Sequence, residues 1–496
     1  MQRTVSVPEP YDSDAQCPAN VEAPLCIDLD GTLLRSDSLF ECLAAAIRNP
    51  LVLLQLPLWL VRGKAYLKAK LARRVELNVA TLPFHTELFK WIQKARKNGR
   101  KIVLATGADQ HVANGVAAHL EIFDETIASD GTRNLTGKQK AQALCGRFGP
   151  RGFSYVGNHR SDFVVWKSAL SSVVVGMNPR QASRVASVSD MEAHFPLEQS
   201  RIQSFVQLVR PHQWSKNFLV FVPIITANAI TDWTGWMRCL GLFFSLSLVA
   251  SALYIFNDIV DLESDRAHPN KRKRPLASGD FPLSWAFSIA AGGLLLGFVV
   301  AGLFKALPEV LLYACASMAY SAGLKRLPLV DLFLLAAIYS IRLFAGGIVS
   351  GHYVSTWLFS FSCFLFFSLA VIKRVSELLL LHDRAAVNSS RGYRSSDVLL
   401  LEIMGVASSF VSCVVLALYI QSPTVIHNYR SPEALWGVAI LMLFWQCRLW
   451  LTTMRGNMHD DPIVFAGRDR VSWAVVLLIV LVMGLANTGI AGVFHR

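Results

Sequence analysis

From Asn217 to the C-terminus, apolar residues collect into blocks of about 20, the length needed to cross a bilayer core of roughly 30 Å. No other feature narrows the fold so far, because a segment in lipid must satisfy its own backbone polar groups and so becomes a helix. Nine such blocks can be drawn, at 217–230, 236–257, 282–303, 307–324, 329–350, 356–377, 399–420, 433–453 and 471–493. The first 200 or so residues are mixed in character and read as an α/β domain. The overall 53% hydrophobic and 17% charged content therefore averages two unlike regions. The expected division is a disordered tail at 1–22, an α/β domain at 23–177, a linker at 178–200 and an all-α membrane domain at 201–496.

The net charge of +13 is placed in a way that argues against nucleic acid. Lys and Arg gather between spans, at Arg266 to Arg274, Lys325 with Arg326, Lys373 to Arg394, and Arg455 to Arg470. The alternating loops hold few cations, a positive-inside pattern that puts the N-terminal domain in the cytoplasm and the C-terminus opposite. A bacterial-type inner membrane is the expected location. The first 20 residues lack the apolar core of a signal peptide. The nine Cys are scattered, without a CxxC pair, and read as reduced core thiols. Two apolar stretches are too modest to span. "PLVLLQLPLWLV" (50–61) reads as a helical insert within the α/β domain, and "RIQSFVQLVRPHQW" (201–214) as an interfacial helix with Ile202, Phe205, Leu208 and Val209 on one face.

"APLCIDLDGTLLRSDS" is an apolar strand running into Asp28, Asp30 and a Gly-Thr turn. Both carboxylates would project from the strand's C-terminal end, where open parallel sheets bind ligands. "RKIVLATGADQ" is a second strand, ending in Thr106. "GKQKAQAL" sends Lys138 and Lys140 into a helix. "FSYVGNHRSDFVVWKSA" is a third strand, with Asn158 and Asp162 at its end.

Four strand-end motifs in this order resemble the haloacid dehalogenase-like phosphohydrolases, over roughly residues 23–175, with an α/β Rossmann-like fold. The resemblance implies that Asp28 is a nucleophile forming an aspartyl-phosphate and that Asp30 is a general acid and base. Thr106 and Lys140, with Lys138 second, would hold phosphoryl oxygens. Asp28, Asp162, Asn158 and the Asp30 carbonyl would hold Mg²⁺. Residues 36–95 would form a helical cap that selects substrate.

The densest charge lies at the end of the second span, in "NDIVDLESDRAHPNKRKRPLASG" (257–279). Asn257, Asp258, Asp261 and Asp265 fall at helical spacings and share a face. Like charges so placed repel by about 0.2–0.5 kcal/mol per pair, so a countercharge is called for. Mg²⁺ carrying a diphosphate would supply one. The bland alternative, a topogenic loop with solvated Asp, explains the cations but not the acidic spacing.

NDxxDxxxD followed by HPxKxxRPxxSG resembles the UbiA superfamily of intramembrane prenyltransferases, over residues 205–495, which implies about nine helices around a lipid-open cavity. Members that prenylate aromatic rings carry a second Asp-rich motif. Here the matching loop reads "AYSAGLKRLPLVD", with Tyr320 and Lys325 where acids are expected and Asp331 alone. With "RPHQWSKN", "IKRVSELLLL", "RGYRSSD" and "DDP…RDR", the chain resembles the decaprenyl-phosphate 5-phosphoribosyltransferase branch. That branch joins phosphoribosyl diphosphate to a polyprenyl phosphate. The resemblance implies catalytic and Mg²⁺-holding roles for Asp258 and Asp261. It also implies substrate contacts for Lys216, Asn257, Asp265, Lys271, Arg274, Tyr320, Lys325, Arg342, Lys373 and Tyr393. Arg342 is a functional candidate in its own right, because an ionisable group within a span is costly unless it is used or paired. Trp214, Tyr320 and Tyr393 stand equally as belt aromatics. A prenyl diphosphate transferase acting on a small acceptor, and a non-enzymatic transporter or scaffold, are the competing classes.

Overall fold

The computed structural model describes residues 23–196, 200–382, 392–458 and 461–488. The expected tail at 1–22 and the extreme C-terminus lie outside the described residues. The chain forms two compact units, one of residues 1–209 with 254–290 and the other of 210–253 with 291–496.

In the first unit, six parallel strands form one sheet in the order β3-β2-β1-β4-β5-β6. They are β1 (Leu25–Ile27), β2 (Ile102–Asp109), β3 (Glu125–Ser129), β4 (Ser154–Gly157), β5 (Ser171–Val175) and β6 (Asp190–Phe195). Strands β1 and β2 are buried throughout, as a central parallel sheet covered on both faces requires. Because β1 lies between β2 and β4, its C-terminal end is a topological switch point, the crevice where such sheets bind ligands. Helices α1 (Ser38–Ala46), α2 (Pro50–Val61), α3 (Lys64–Arg74) and α4 (Thr86–Lys97) fill the insert between β1 and β2. Helices α5 (Gln110–Leu120), α6 (Lys138–Phe148), α7 (Phe163–Ser168) and α8 (Pro179–Ala186) connect the later strands.

Most of the segment read as a linker at 178–200 is folded. Asn178 caps α8, and β6 adds to the sheet edge beside β5. Strand β6 is held by Glu192, whose carboxylate is paired with the buried Arg100 at 2.8 Å. Its sequence, DMEAHF, is too polar to announce a strand, because Glu192 points inward to a cation that arrives from β2's entry.

The remaining helices are α9 (Arg201–Val209), α10 (Val222–Thr226), α11 (Trp233–Val260), α12 (Leu262–Ala267), α13 (Pro275–Ser278), α14 (Leu283–Leu303), α15 (Leu307–Ala322), α16 (Val330–Ser350), α17 (Thr356–His382), α18 (Val398–Ile420), α19 (Pro423–Asn428), α20 (Trp436–Met454), α21 (Pro462–Arg468) and α22 (Arg470–Thr488). Seven of these, α11, α14, α16, α17, α18, α20 and α22, are long and apolar enough to cross a membrane. Two expected spans are shorter. The block at 217–230 is split into a 3-10 stretch (Pro211–Phe221) and α10, with Pro223 entering the second piece. The block at 307–324 yields α15, of 16 residues. In the second unit the core gathers Leu332 and Tyr339 of α16, Phe366 and Val371 of α17, Leu401 of α18 and Trp450 of α20.

Candidate functional site

At the end of β1 the chain turns sharply. Gly31 has φ +70°, and a Cβ there would meet the Asn158 amide at 2.1 Å, so this turn favours glycine. The turn brings Asp28, Asp30, Thr106, Lys140 and Asp162 into one crevice at the strand ends. Lys140 Nζ lies 2.8 Å from Asp28 Oδ1 and donates to Tyr155 Oη at 2.9 Å. Tyr155 in turn donates to Asp162 Oδ1 at 3.3 Å. The backbone N–H of His159 donates to Asp162 Oδ2 at 3.0 Å, aiming that carboxylate. Thr106 Oγ1 accepts from Ala108 N–H at 3.0 Å. Lys138 is exposed on the outer side of α6, which leaves Lys140 as the lysine of the crevice.

The two aspartates differ in environment. Burial, seconded by the charge of Asp162, pushes Asp28 up to about 6, against the opposing pull of Lys140. Burial and Asp37 push Asp30 up to about 7, opposed by the Ser38 N–H at 2.8 Å. A carboxyl that is half protonated near neutrality suits an acid that gives a proton to a leaving alcohol. Tyr155 was not singled out from sequence. Its phenol is one of many buried strand aromatics until the fold sets Lys140 and Asp162 on either side of it.

The acidic helix end also lies within the first unit. Arg274 Nη1 is 2.9 Å from Asp258 Oδ1 and 2.6 Å from Asp265 Oδ2, so two carboxylates converge on a single positive centre. Asp265 Oδ1 is buried without a hydrogen-bond partner, and Lys271 Nζ stands off at 3.8 Å. Burial raises the Asp265 pKa while Arg274 opposes the rise. Asn257 and Asp261 are half-buried on the same turn. An unsatisfied carboxylate oxygen beside a second carboxylate is a donor set that suits Mg²⁺, which takes one or two carboxylates and completes its shell with phosphate oxygens. Among the described residues no three His, Cys, Asp or Glu side chains converge, so such an ion would rely on substrate oxygens.

In the second unit, Lys216 and Lys373 reach the buried Asp461 at 2.8 and 3.0 Å, and Tyr339 Oη donates to the same carboxylate at 2.9 Å. Arg342 donates to Asn217 Oδ1 at 2.8 Å and to Tyr313 Oη at 3.1 Å, with its guanidinium 4.6 Å from the Tyr313 ring centre. Lys216 and Arg342 both lie over the Tyr339 ring, at 5.6 and 5.7 Å. Two of the cations expected to bind substrate, Lys216 and Lys373, thus meet at one acid, and a third, Arg342, lies over the same Tyr339 ring. Asp461, Tyr339, Tyr313 and Asn217 were missed as site residues. Asp461 had stood only as part of a family signature.

Tyr393 is placed otherwise than expected. It is buried, donates to Asp331 and accepts from Leu329 N–H at 2.8 Å, so its hydroxyl is engaged by the protein on both sides. Asp331, alone in sequence, is paired in space with the fully buried Arg374 at 2.5 Å. Tyr320 and Lys325 lie half-buried near the end of α15, and Trp214 donates to Ser251 Oγ at 2.9 Å.

Residues 218–466 match the UbiA prenyltransferase family, and residues 25–163 match the haloacid dehalogenase-like hydrolases. The chain belongs to the UbiA prenyltransferase family and carries a haloacid dehalogenase-like domain ahead of it. It is a multi-pass integral membrane enzyme, a transferase with an attached hydrolase domain. It is 36% identical over 92% of its length to the uncharacterized protein y4nM of Sinorhizobium fredii, covering 89% of that protein. Nodulation protein NoeC of Azorhizobium caulinodans is 31% identical, with 57% of this chain and 92% of that one aligned. Decaprenyl-phosphate phosphoribosyltransferase of Mycobacterium tuberculosis is 28% identical, with 58% and 94% aligned.

Proposed function

We propose that the membrane domain transfers 5-phosphoribosyl from phosphoribosyl diphosphate to a polyprenyl phosphate, at the cytoplasmic face of a bacterial inner membrane. Similarity to decaprenyl-phosphate phosphoribosyltransferases, several of which align over most of their length, supports this reading. The observation that carries it is the fate of Asp331. Where relatives that use prenyl diphosphates have a second acidic motif, this chain has one acid, paired with Arg374 (which also meets Glu377) and hydrogen-bonded by Tyr393. One acidic site then serves one diphosphate, the leaving group on the sugar.

Asp258 and Asp261 would hold Mg²⁺, which when bound offsets the charge of the departing diphosphate, with Asp265 contacting the substrate beside them. Asn257, Lys271 and Arg274 would steady the diphosphate. Lys216, Lys373 and Arg342 would hold the lipid phosphate, since ionisable groups at membrane depth mark substrate sites. Tyr320 and Lys325 would line the donor side. A lipid phosphate oxygen attacks the anomeric carbon as the bond to diphosphate breaks, and no general base is needed because the nucleophile is already anionic.

The hydrolase domain would act as a phosphomonoesterase. Asp28 attacks phosphorus as Asp30 protonates the leaving alcohol; Asp30 then takes a proton from a water that attacks the aspartyl-phosphate, freeing Asp28 and phosphate, while Thr106 and Lys140 hold the phosphoryl oxygens. Asp28, Asp162 and Asn158, with the Asp30 carbonyl, would hold its Mg²⁺. The product of transfer keeps a 5-phosphate, and this domain would remove it. Purified enzyme given labelled phosphoribosyl diphosphate should release diphosphate only when polyprenyl phosphate is present. Efficient prenylation of an aromatic acid from farnesyl diphosphate would instead establish the prenyl diphosphate transferase.

A further inference from the structure

Helix α2 has no charged residue in twelve. Val52 and Trp59 are buried in the core of the first unit, but Leu51, Leu54, Leu58, Leu60 and Val61 are 69, 79, 59, 56 and 86% exposed. A contiguous apolar surface of this kind marks an interaction site. At about 1.5 Å per residue the helix is roughly 18 Å long, too short to cross a bilayer.

The position of α2 is set by α1, which immediately precedes it. Ala44, Phe40 and Ile47 pack with Ile255 and Ile259 of α11 and with Leu283 and Ala286 of α14, the ends of two membrane-length helices. Beyond α1, Arg48 donates to Val260 O, the last residue of α11, at 3.1 Å and pairs with Glu263 at 2.8 Å. Helix α2 therefore begins two residues from a side chain bonded to the end of a span. The same cluster includes Leu208 of α9, whose Ile202, Phe205 and Val206 are also uncovered. Cations flank α2, with Arg48 before it and the exposed Arg62, Lys64, Arg73 and Arg74 after it.

We infer that α2 is an interfacial membrane helix that seats the hydrolase insert on the bilayer. Its uncovered leucines enter the acyl boundary, and the flanking cations meet phosphate headgroups. The consequence for substrate rests on the phosphatase reading. Helix α3 follows α2 through Arg62 and Gly63, and its Lys68 donates to Gly107 O at 2.8 Å, next to Thr106. A helix in lipid is thereby joined by a short, ordered path to the phosphate crevice. The substrate class this favours is a phosphomonoester borne on a lipid, not a soluble metabolite.

The test uses full-length protein in lipid vesicles, with a photoreactive phenylalanine analogue placed at Leu54, at Leu58 or, as a control, at the exposed Lys97. Lipid adducts at Leu54 and Leu58, absent at Lys97, are the expected result. Crosslinks to a second copy of the chain, or no lipid adduct, would overturn the membrane assignment. The substrate clause is tested with one scissile bond on two carriers, geranylgeranyl-phosphoryl-ribose 5-phosphate in vesicles and free ribose 5-phosphate. Wild type should prefer the lipid, and Leu54→Glu with Leu58→Glu should cut lipid hydrolysis about tenfold more than soluble hydrolysis. Equal losses would overturn the clause. Hydrolysis of neither substrate by wild type would remove the phosphatase reading while leaving the lipid adducts to decide the position of α2.

Discussion

Buried charge is handled differently in the two units. In the hydrolase crevice the charged groups, Asp28, Asp30, Lys140 and Asp162, follow short motifs at the ends of neighbouring strands. In the second unit they lie within or beside membrane-length helices, Lys216 with Asp461 and Arg374 with Asp331. In the crevice the charges are buried too, but Asp28, Lys140, Tyr155 and Asp162 form one connected chain at the strand ends, where substrate enters. An apolar interior does not tolerate a lone charge, so each charge there must find a partner before it can do anything else. A lone charge in the membrane region is therefore ambiguous in sequence, since a site residue and a structural ion pair look the same until the partner is known.

The largest effects test whether the two chemistries are independent. Asp28→Asn is expected to lower phosphate release by on the order of 10⁴-fold while transfer continues, leaving a 5-phosphorylated lipid visible by mass spectrometry. The converse variant, Asp258→Asn, should reduce transfer by several orders of magnitude with phosphate release from free ribose 5-phosphate unchanged. Near-normal transfer, still dependent on Mg²⁺, would break the assignment of the acidic helix end. Chelating divalent ions should silence both reactions, and restoring Mg²⁺ should recover both.

Smaller effects sharpen the distinction between pairing and function. Arg374→Met leaves Asp331 buried without its cation and should destabilise the membrane unit by about 3–5 kcal/mol, read as thermal unfolding in detergent. Combining it with Asp331→Leu should recover most of that loss, as expected of a structural pair. If transfer stays absent in a double variant that is again stable, Asp331 belongs to the reaction. Least affected should be Arg48→Ala, since its pair with Glu263 is half-exposed and worth about 0–1 kcal/mol. A larger shift in unfolding temperature would mean that docking of α1 depends on this arginine.

The amino-acid order by itself determined the division into a sheet domain and a membrane domain, because apolar block length and strand-end motifs are local properties. It also placed Asp28, Asp30, Thr106, Lys140 and Asp162 at one crevice, since parallel strands bring their C-terminal ends together. The tertiary structure decided what local pattern does not encode. Strand β6 pairs with β5 and brings Glu192 to Arg100, 92 residues away, and Tyr155 joins the crevice because α6 delivers Lys140 to its hydroxyl. Tyr393 meets Asp331, and Asp461 meets Lys216, through contacts spanning 62 and 245 residues. In a low-dielectric interior the fate of a charge is set by the partner that folding brings within about 3 Å, and spacing along the chain does not encode that distance.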